Sequence, residues 1–122
     1  MKKVLICDDE PHIVEGLRHL LRSTNRAITI ARSGMEALQH IEDTVPDLLI
    51  LDIMMPQMSG LEVLATLRQQ DKTKNLPIII LTAKGEAQDA SMAQEVWQAT
   101  VMAKPFEPQK LRELVTTTLE DK

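Results

Sequence analysis

Five short aliphatic runs, each followed by a segment with apolar residues at helical spacing, constrain this chain more than any other feature. The runs are KVLIC (3–7), AITIA (27–31), DLLILD (47–52), LPIIILT (76–82) and TVMA (100–103). Their β-branched and aliphatic content predicts strands. Between the first two lies EPHIVEGLRHLLRST (10–24), where Ile13, Leu17, Leu20 and Leu21 recur with helical period and Pro11 sits in the first turn, where a missing N–H is tolerated. Ser33 and Glu36 form an S-x-x-E capping box ahead of Ala37, Leu38 and Ile41, and Pro46 stops that helix. A loop holding Pro56, Ser59 and Gly60 leads to a helix carrying Leu61, Leu64 and Leu67. A weaker helix is predicted over 86–97, with Ala87, Ala90, Ala93 and Val96, and a last one carries Leu111, Leu114 and Val115 behind Pro108.

Strands alternating with helices five times predict an α/β fold: a parallel sheet covered on both faces, joined by right-handed crossovers in a doubly wound form. The run at 76–82 is apolar at both alternating positions, so it should be buried on both sides. The 122 residues suit one domain, 1–122, able to bury its own core. A net charge of −4 argues against direct nucleic-acid binding. The single cysteine, Cys7, excludes an internal disulfide and a Cys-rich metal site. No apolar run approaches the ~20 residues of a membrane span, and MKKVLICDDE lacks the apolar stretch of a signal peptide, so a cytoplasmic location is expected.

In doubly wound sheets, sites form beyond the carboxyl ends of the strands. There the first run delivers Asp8, Asp9 and Glu10, the third Asp52, the fourth Thr82, and the fifth Lys104 followed by Pro105. The second brings Arg32 and Ser33, which fit the set less well. Carboxylates ~4 Å apart repel by roughly 1 to 4 kcal/mol per pair, depending on effective dielectric. One lysine does not offset that. A hard divalent cation does, and Mg²⁺ favours one or two carboxylates plus waters and a phosphate. The rim therefore reads as an acidic Mg²⁺ site awaiting a phosphoryl group. Singly, each residue has a plainer role: Asp52 could cap a loop, Asp8 and Asp9 could favour a helix N-terminus, Thr82 could be an ordinary strand residue, and Lys104 a solvated one.

DDEP after the first strand, LLILDIMMPQMSGLEVL around Asp52, IIILTA to Thr82 and KPF at 104–106 together resemble the receiver domain of two-component response regulators. The resemblance covers nearly the whole chain. It implies a flavodoxin-like (βα)5 fold with strand order 2-1-3-4-5. It implies that Asp52 is the phosphoacceptor, served by a sensor histidine kinase or phosphotransfer protein. Asp8, Asp9, Asp52 and the backbone carbonyl of Met54 would hold Mg²⁺. The Thr82 hydroxyl would bond the phosphoryl group beside small Ala83, and Lys104 would pair with it across a cis Lys104–Pro105 peptide. The face of the fourth helix, fifth strand and fifth helix would change on phosphorylation and could form a homodimer. Met54 and Lys84 would tune the phosphoryl lifetime, giving slow to intermediate autodephosphorylation rather than turnover of an external substrate.

Two features depart from the family. Val101 stands where an aromatic switch residue is usual, the chain having no Tyr, and WQAT (97–100) replaces a Gly-Ala-containing turn. Trp97 is a candidate reporter on the changing face. A degenerate receiver that binds partners without phosphate is therefore the second reading. A phosphohydrolase using an aspartyl phosphate would need an Asp where Met54 stands, and an FMN carrier would need a Ser/Thr/Gly-rich loop where DDEP would repel phosphate. Cys7 and the methionines are expected to fill core and loop gaps, Gly60 to shape its loop, and His12, His19 and His40 to be neither ligands nor phosphorylation sites.

Overall fold

The structure, a computed structural model, describes residues 1–83 and 85–120. The elements alternate as β1 (Lys2–Cys7), α1 (Pro11–Leu21), β2 (Arg26–Ala31), α2 (Gly34–Asp43), β3 (Leu48–Asp52), α3 (Gly60–Arg68), β4 (Ile78–Thr82), α4 (Ala87–Glu95), β5 (Thr100–Ala103) and α5 (Pro108–Leu119). All five strands are parallel, in the order β2-β1-β3-β4-β5. This is the expected flavodoxin-like arrangement.

Alternation within the strands makes two cores. Leu5, Leu49, Leu51, Ile78 and Ile80 face α2, α3 and α4, where Ile41, Leu64, Leu67 and Ala93 meet them. Val4, Ile6, Leu48, Ile50, Ile79 and Leu81 face the other way, onto Leu17 and Leu21 of α1 and Leu111, Val115 and Leu119 of α5. Every residue of β3 and β4 is buried. Strands between two helical layers have no wet face, so their sequences read as unbroken aliphatic runs.

Local chemistry sets the helix starts. The Ser33 side chain accepts from the Glu36 N–H at 3.1 Å. Ser59 does the same for Glu62 at 3.2 Å, a second S-x-x-E start hidden in what the sequence presents as loop. The first helix stops at Leu21, three residues before its expected end, because Arg22 is extended and the chain must turn to enter β2. The fourth strand begins at Ile78, since Leu76 belongs to the preceding turn, its N–H donating to Thr73 O. Among the described residues, no helix is long and apolar enough to cross a membrane.

Candidate functional site

Four strand ends meet on one rim. Asp8 follows β1 directly, and its N–H donates to the carbonyl of Ala31 in β2. Its Oδ1 accepts from the Glu10 N–H at 3.0 Å, a local turn that fixes the carboxylate. Its Oδ2 is buried without a hydrogen-bond partner among the described residues. Asp52 closes β3, with the Ile53 N–H held by Leu81 O. Asp8 and Asp52 are only 1% and 4% exposed, which carboxylates seldom are without compensation. Asp9 is half-buried, and oxygens from Asp8, Asp9 and Asp52 lie within 4.8 Å of one another.

Lys104 enters from the fifth strand. Its N–H donates to Thr82 O at 2.6 Å, and the following peptide to Pro105 is cis. Its ammonium donates to Asp52 Oδ1 at 2.9 Å and lies 3.7 Å from Asp8 Oδ2. Thr82 is buried at the end of β4, one residue beyond Leu81, the register partner of Asp52. The four groups expected from β1, β3, β4 and β5 thus share one rim.

The electrostatics show a shortage of positive charge. Burial raises the Asp8 carboxyl above its ordinary range; the Glu10 N–H opposes this, and Asp52 adds to it. Burial also raises Asp52, against the pull of Lys104. Burial would lower the Lys104 ammonium, but the hydrogen bond to Asp52 and the charges of Asp52, Asp8 and Glu10 outweigh it, so the net shift is upward. One cation cannot satisfy three carboxylates. The oxygen-only donor set and the orphaned Asp8 Oδ2 suit a hard divalent cation.

Of two supporting residues, the sequence gives Gly60 only a loop-shaping role and does not single out Arg68. A Cβ at Gly60 would collide with the Asp52 carbonyl oxygen and sit 2.8 Å from Ile53 Cα, while the Gly60 N–H donates to Ile53 O at 2.8 Å. Gly60 therefore does more than shape a loop: it lets α3 press on the backbone of the acidic residue. Arg68 ends α3 and reaches five backbone carbonyls, including Trp97 O and Leu76 O at 2.7 Å each. Only the fold reveals these contacts.

Other expectations divide. Cys7 is core, its Sγ 3.6 Å from Met55 Sδ and its thiol pushed up to about 12 mainly by burial. The methionines are not uniformly fillers: Met55 is buried, but Met35, Met54 and Met92 are exposed. His12, His19 and His40 lie exposed on helices, outside the acidic cluster. Trp97 and Val101 are half-buried against the core under α2, α3 and α4. Lys84 lies outside the described residues.

A doubly wound sheet with an acid-and-lysine rim at its switch point defines a class of phosphoryl-handling proteins. The chain belongs to the response regulator receiver domain family, whose model matches residues 4–116. It is 39% identical over 118 residues to the alkaline phosphatase synthesis transcriptional regulatory protein PhoP of Bacillus subtilis (strain 168), covering 97% of this chain and 48% of that one. It is 35% identical to the transcriptional regulatory protein CpxR of Escherichia coli (strain K12), covering 91% and 46%. The chain thus spans about half the length of these curated relatives. The receiver domain of a signal transduction histidine kinase from Syntrophus aciditrophicus superposes with a TM-score of 0.89 at 30% identity, over 98% of this chain and 91% of that one. Receiver domains serve phosphorelay signalling, take phosphoryl groups from histidine kinases and bind Mg²⁺ at an acidic pocket.

Proposed function

We propose that this chain is a phosphorelay switch in which Asp52 accepts a phosphoryl group from a histidine kinase or phosphotransfer protein. The observation that carries this is the Lys104 ammonium on Asp52 Oδ1, inside a cluster completed by Asp8 and Asp9. Asp8, Asp9, Asp52 and the Met54 carbonyl would hold Mg²⁺. When bound, Mg²⁺ supplies the positive charge that lets an anionic donor approach three carboxylates. One Asp52 oxygen attacks phosphorus while the bond from phosphorus to the donor's imidazole nitrogen breaks. Lys104 exchanges its bond to Asp52 for one to a phosphoryl oxygen, and the Thr82 hydroxyl donates to another. The small Ala83, exposed beside Thr82, leaves room for the group.

The exposed Met54 side chain shields the acyl phosphate only partly, which supports a slow to intermediate autodephosphorylation. The face of α4, β5 and α5 is the read-out, and it serves contacts with an output partner or a second copy. PhoP and CpxR are named as transcriptional regulators, which supports a transcriptional output reached in the cytoplasm through other protein surfaces rather than through DNA contacts of this acidic chain. Acetyl phosphate with Mg²⁺ should add one phosphoryl group, mapped by mass spectrometry to Asp52 and absent in Asp52→Asn. A phosphoryl group found elsewhere, or none without any loss of Mg²⁺ binding, overturns the reading.

A second reading has one observation in its favour. Val101 is half-buried against the core and offers no ring to swing. A receiver with this read-out could bind its partner without phosphate. Partner affinity that is equal for wild type and Asp52→Asn, with and without acetyl phosphate, would favour it.

A further inference from the structure

We infer that Glu86 is an internal stand-in for the phosphoryl group. Its carboxylate holds the Ala83 N–H, an anion on Asp52 must displace it, and the exchange ties phosphorylation to the start of α4. The inference rests on the phosphoacceptor reading of Asp52 and adds a regulatory residue to it.

The backbone places this N–H on the phosphoacceptor's side of β4. The Leu81 carbonyl faces β3, accepting from the Ile53 N–H at 3.2 Å. The Thr82 carbonyl faces the other way, accepting from the Lys104 N–H just beyond β5. The Thr82–Ala83 peptide is trans and planar, so the Ala83 N–H points opposite to the Thr82 carbonyl, towards β3. The last pair of the β3–β4 ladder is Asp52 with Leu81, so the Ala83 N–H is the next donor on that edge beyond the acidic residue. Glu86 Oε1 accepts from it at 2.5 Å.

Glu86 is the N-cap residue of α4, yet its side chain makes no capping bond to its own helix. Ser33 and Ser59, the N-caps of α2 and α3, both turn their side chains into the helices they start. Glu86 turns back to the strand end instead, and its N–H donates to Ala83 O at 3.3 Å. Its own carbonyl opens α4, accepting from the Ala90 N–H at 2.9 Å. One residue therefore joins the end of β4 to the first turn of α4. Ala93 is the one buried residue of that helix, so α4 is lightly held and a change at its start moves it easily. A backbone N–H is a single donor, and two anionic acceptors compete for it. Glu86 is not one of the clustered Asp8, Asp9 and Asp52, so the competition is for this donor and not for the metal.

Beryllofluoride with Mg²⁺ is the probe, titrated into wild type, Glu86→Ala, Glu86→Gln and Asp89→Asn and followed by amide chemical shifts. Asp89, in the first turn of α4, controls for loss of one negative charge. Glu86→Ala should bind about threefold to tenfold more tightly than wild type. Glu86→Gln, whose amide oxygen is an uncharged acceptor, should gain by a smaller factor, and Asp89→Asn should match wild type within about twofold. In EDTA, without the probe, the Ala83 amide should exchange with solvent more slowly in wild type than in Glu86→Ala. The amides of residues 87–89 should move when wild type binds the probe. In Glu86→Ala they should already be displaced before it is added. Equal affinities of wild type and Glu86→Ala overturn the inference, as does an equal gain in Asp89→Asn. Equal exchange of the Ala83 amide overturns it without reference to Asp52. Should Glu86→Ala not fold, an unchanged affinity in Glu86→Gln overturns it equally. Failure of wild type and every variant to bind the probe removes the phosphoacceptor reading, and this inference with it.

Discussion

Asp8 is the least satisfied residue of the acidic cluster. Its Oδ2 is buried without a hydrogen bond among the described residues, and burial raises its pKa. A carboxyl whose folded pKa is raised binds its proton more readily in the native state than in the unfolded chain. Its favourable contribution is present at low pH and is lost as pH rises through the raised value. Asp8→Asn removes that loss. In EDTA the variant should be more stable than wild type by about 1–3 kcal/mol at neutral pH, and the gap should widen as pH rises from about 4. Thermal unfolding across pH measures this, and a gap independent of pH would refute it. Mg²⁺ should raise the Tm of wild type and do so much less in Asp8→Asn. Lys104→Ala has the opposite sign. It leaves Asp8 and Asp52 buried without their cation, and should cost about 3 kcal/mol in metal-free protein, read as a lower urea midpoint. An unchanged midpoint would mean that water already compensates the pair.

The element scale concerns how helices are held to the sheet. Gly16 and Gly60 are both helical glycines, but their surroundings differ. Nothing lies within 4 Å of a Cβ at Gly16, whereas one at Gly60 would strike the Asp52 carbonyl. Gly16→Ala should therefore stabilise by about 0.5–1 kcal/mol through helix propensity. Gly60→Ala should destabilise by about 1–3 kcal/mol through overpacking and slow phosphorylation of Asp52 by displacing its backbone. Equal Tm shifts for the two would show that α3 has room to move. Arg68 holds the end of α3 to the turns before β4 and β5, through Leu76 O and Trp97 O among others. Burial lowers its pKa, so its hydration has been exchanged for carbonyls. Arg68→Ala should cost about 2–3 kcal/mol, since hydrogen bonds to charged groups exceed neutral ones. Arg68→Lys should recover little, because one ammonium cannot span carbonyls on two turns. Full recovery by lysine would reduce the residue to a point charge.

On the scale of the whole molecule, the question is how a change at Asp52 reaches a distant face. Trp97 is half-buried against the same core as Val101, and its carbonyl is tied to Arg68. Moving an equilibrium from 1:99 to 99:1 takes ~5.5 kcal/mol of differential binding, and a single charge-assisted bond from Thr82 supplies about 1.5–3. Lys104 and the metal must contribute the remainder, or the shift is partial. Beryllofluoride with Mg²⁺ should change Trp97 fluorescence and the amide shifts of α4, β5 and α5. An unchanged spectrum on that face, with beryllofluoride bound, would separate an intact phosphoacceptor from a silent read-out.

The sequence by itself determined the order of elements, the burial of β4 on both faces, and which polar residues stand at the strand ends. These follow from periodicity and from polar residues placed at strand ends, both properties of neighbouring positions. Asp52 was legible because it ends an unbroken aliphatic strand, and Lys104 because Pro105 and Phe106 follow it. Only the tertiary structure decided that Lys104 sits 2.9 Å from Asp52, that Asp8 Oδ2 is orphaned, that Gly60 lies against the Asp52 backbone, and that Arg68 spans two turns. These depend on contacts between residues far apart in the chain, where local pattern carries no distance.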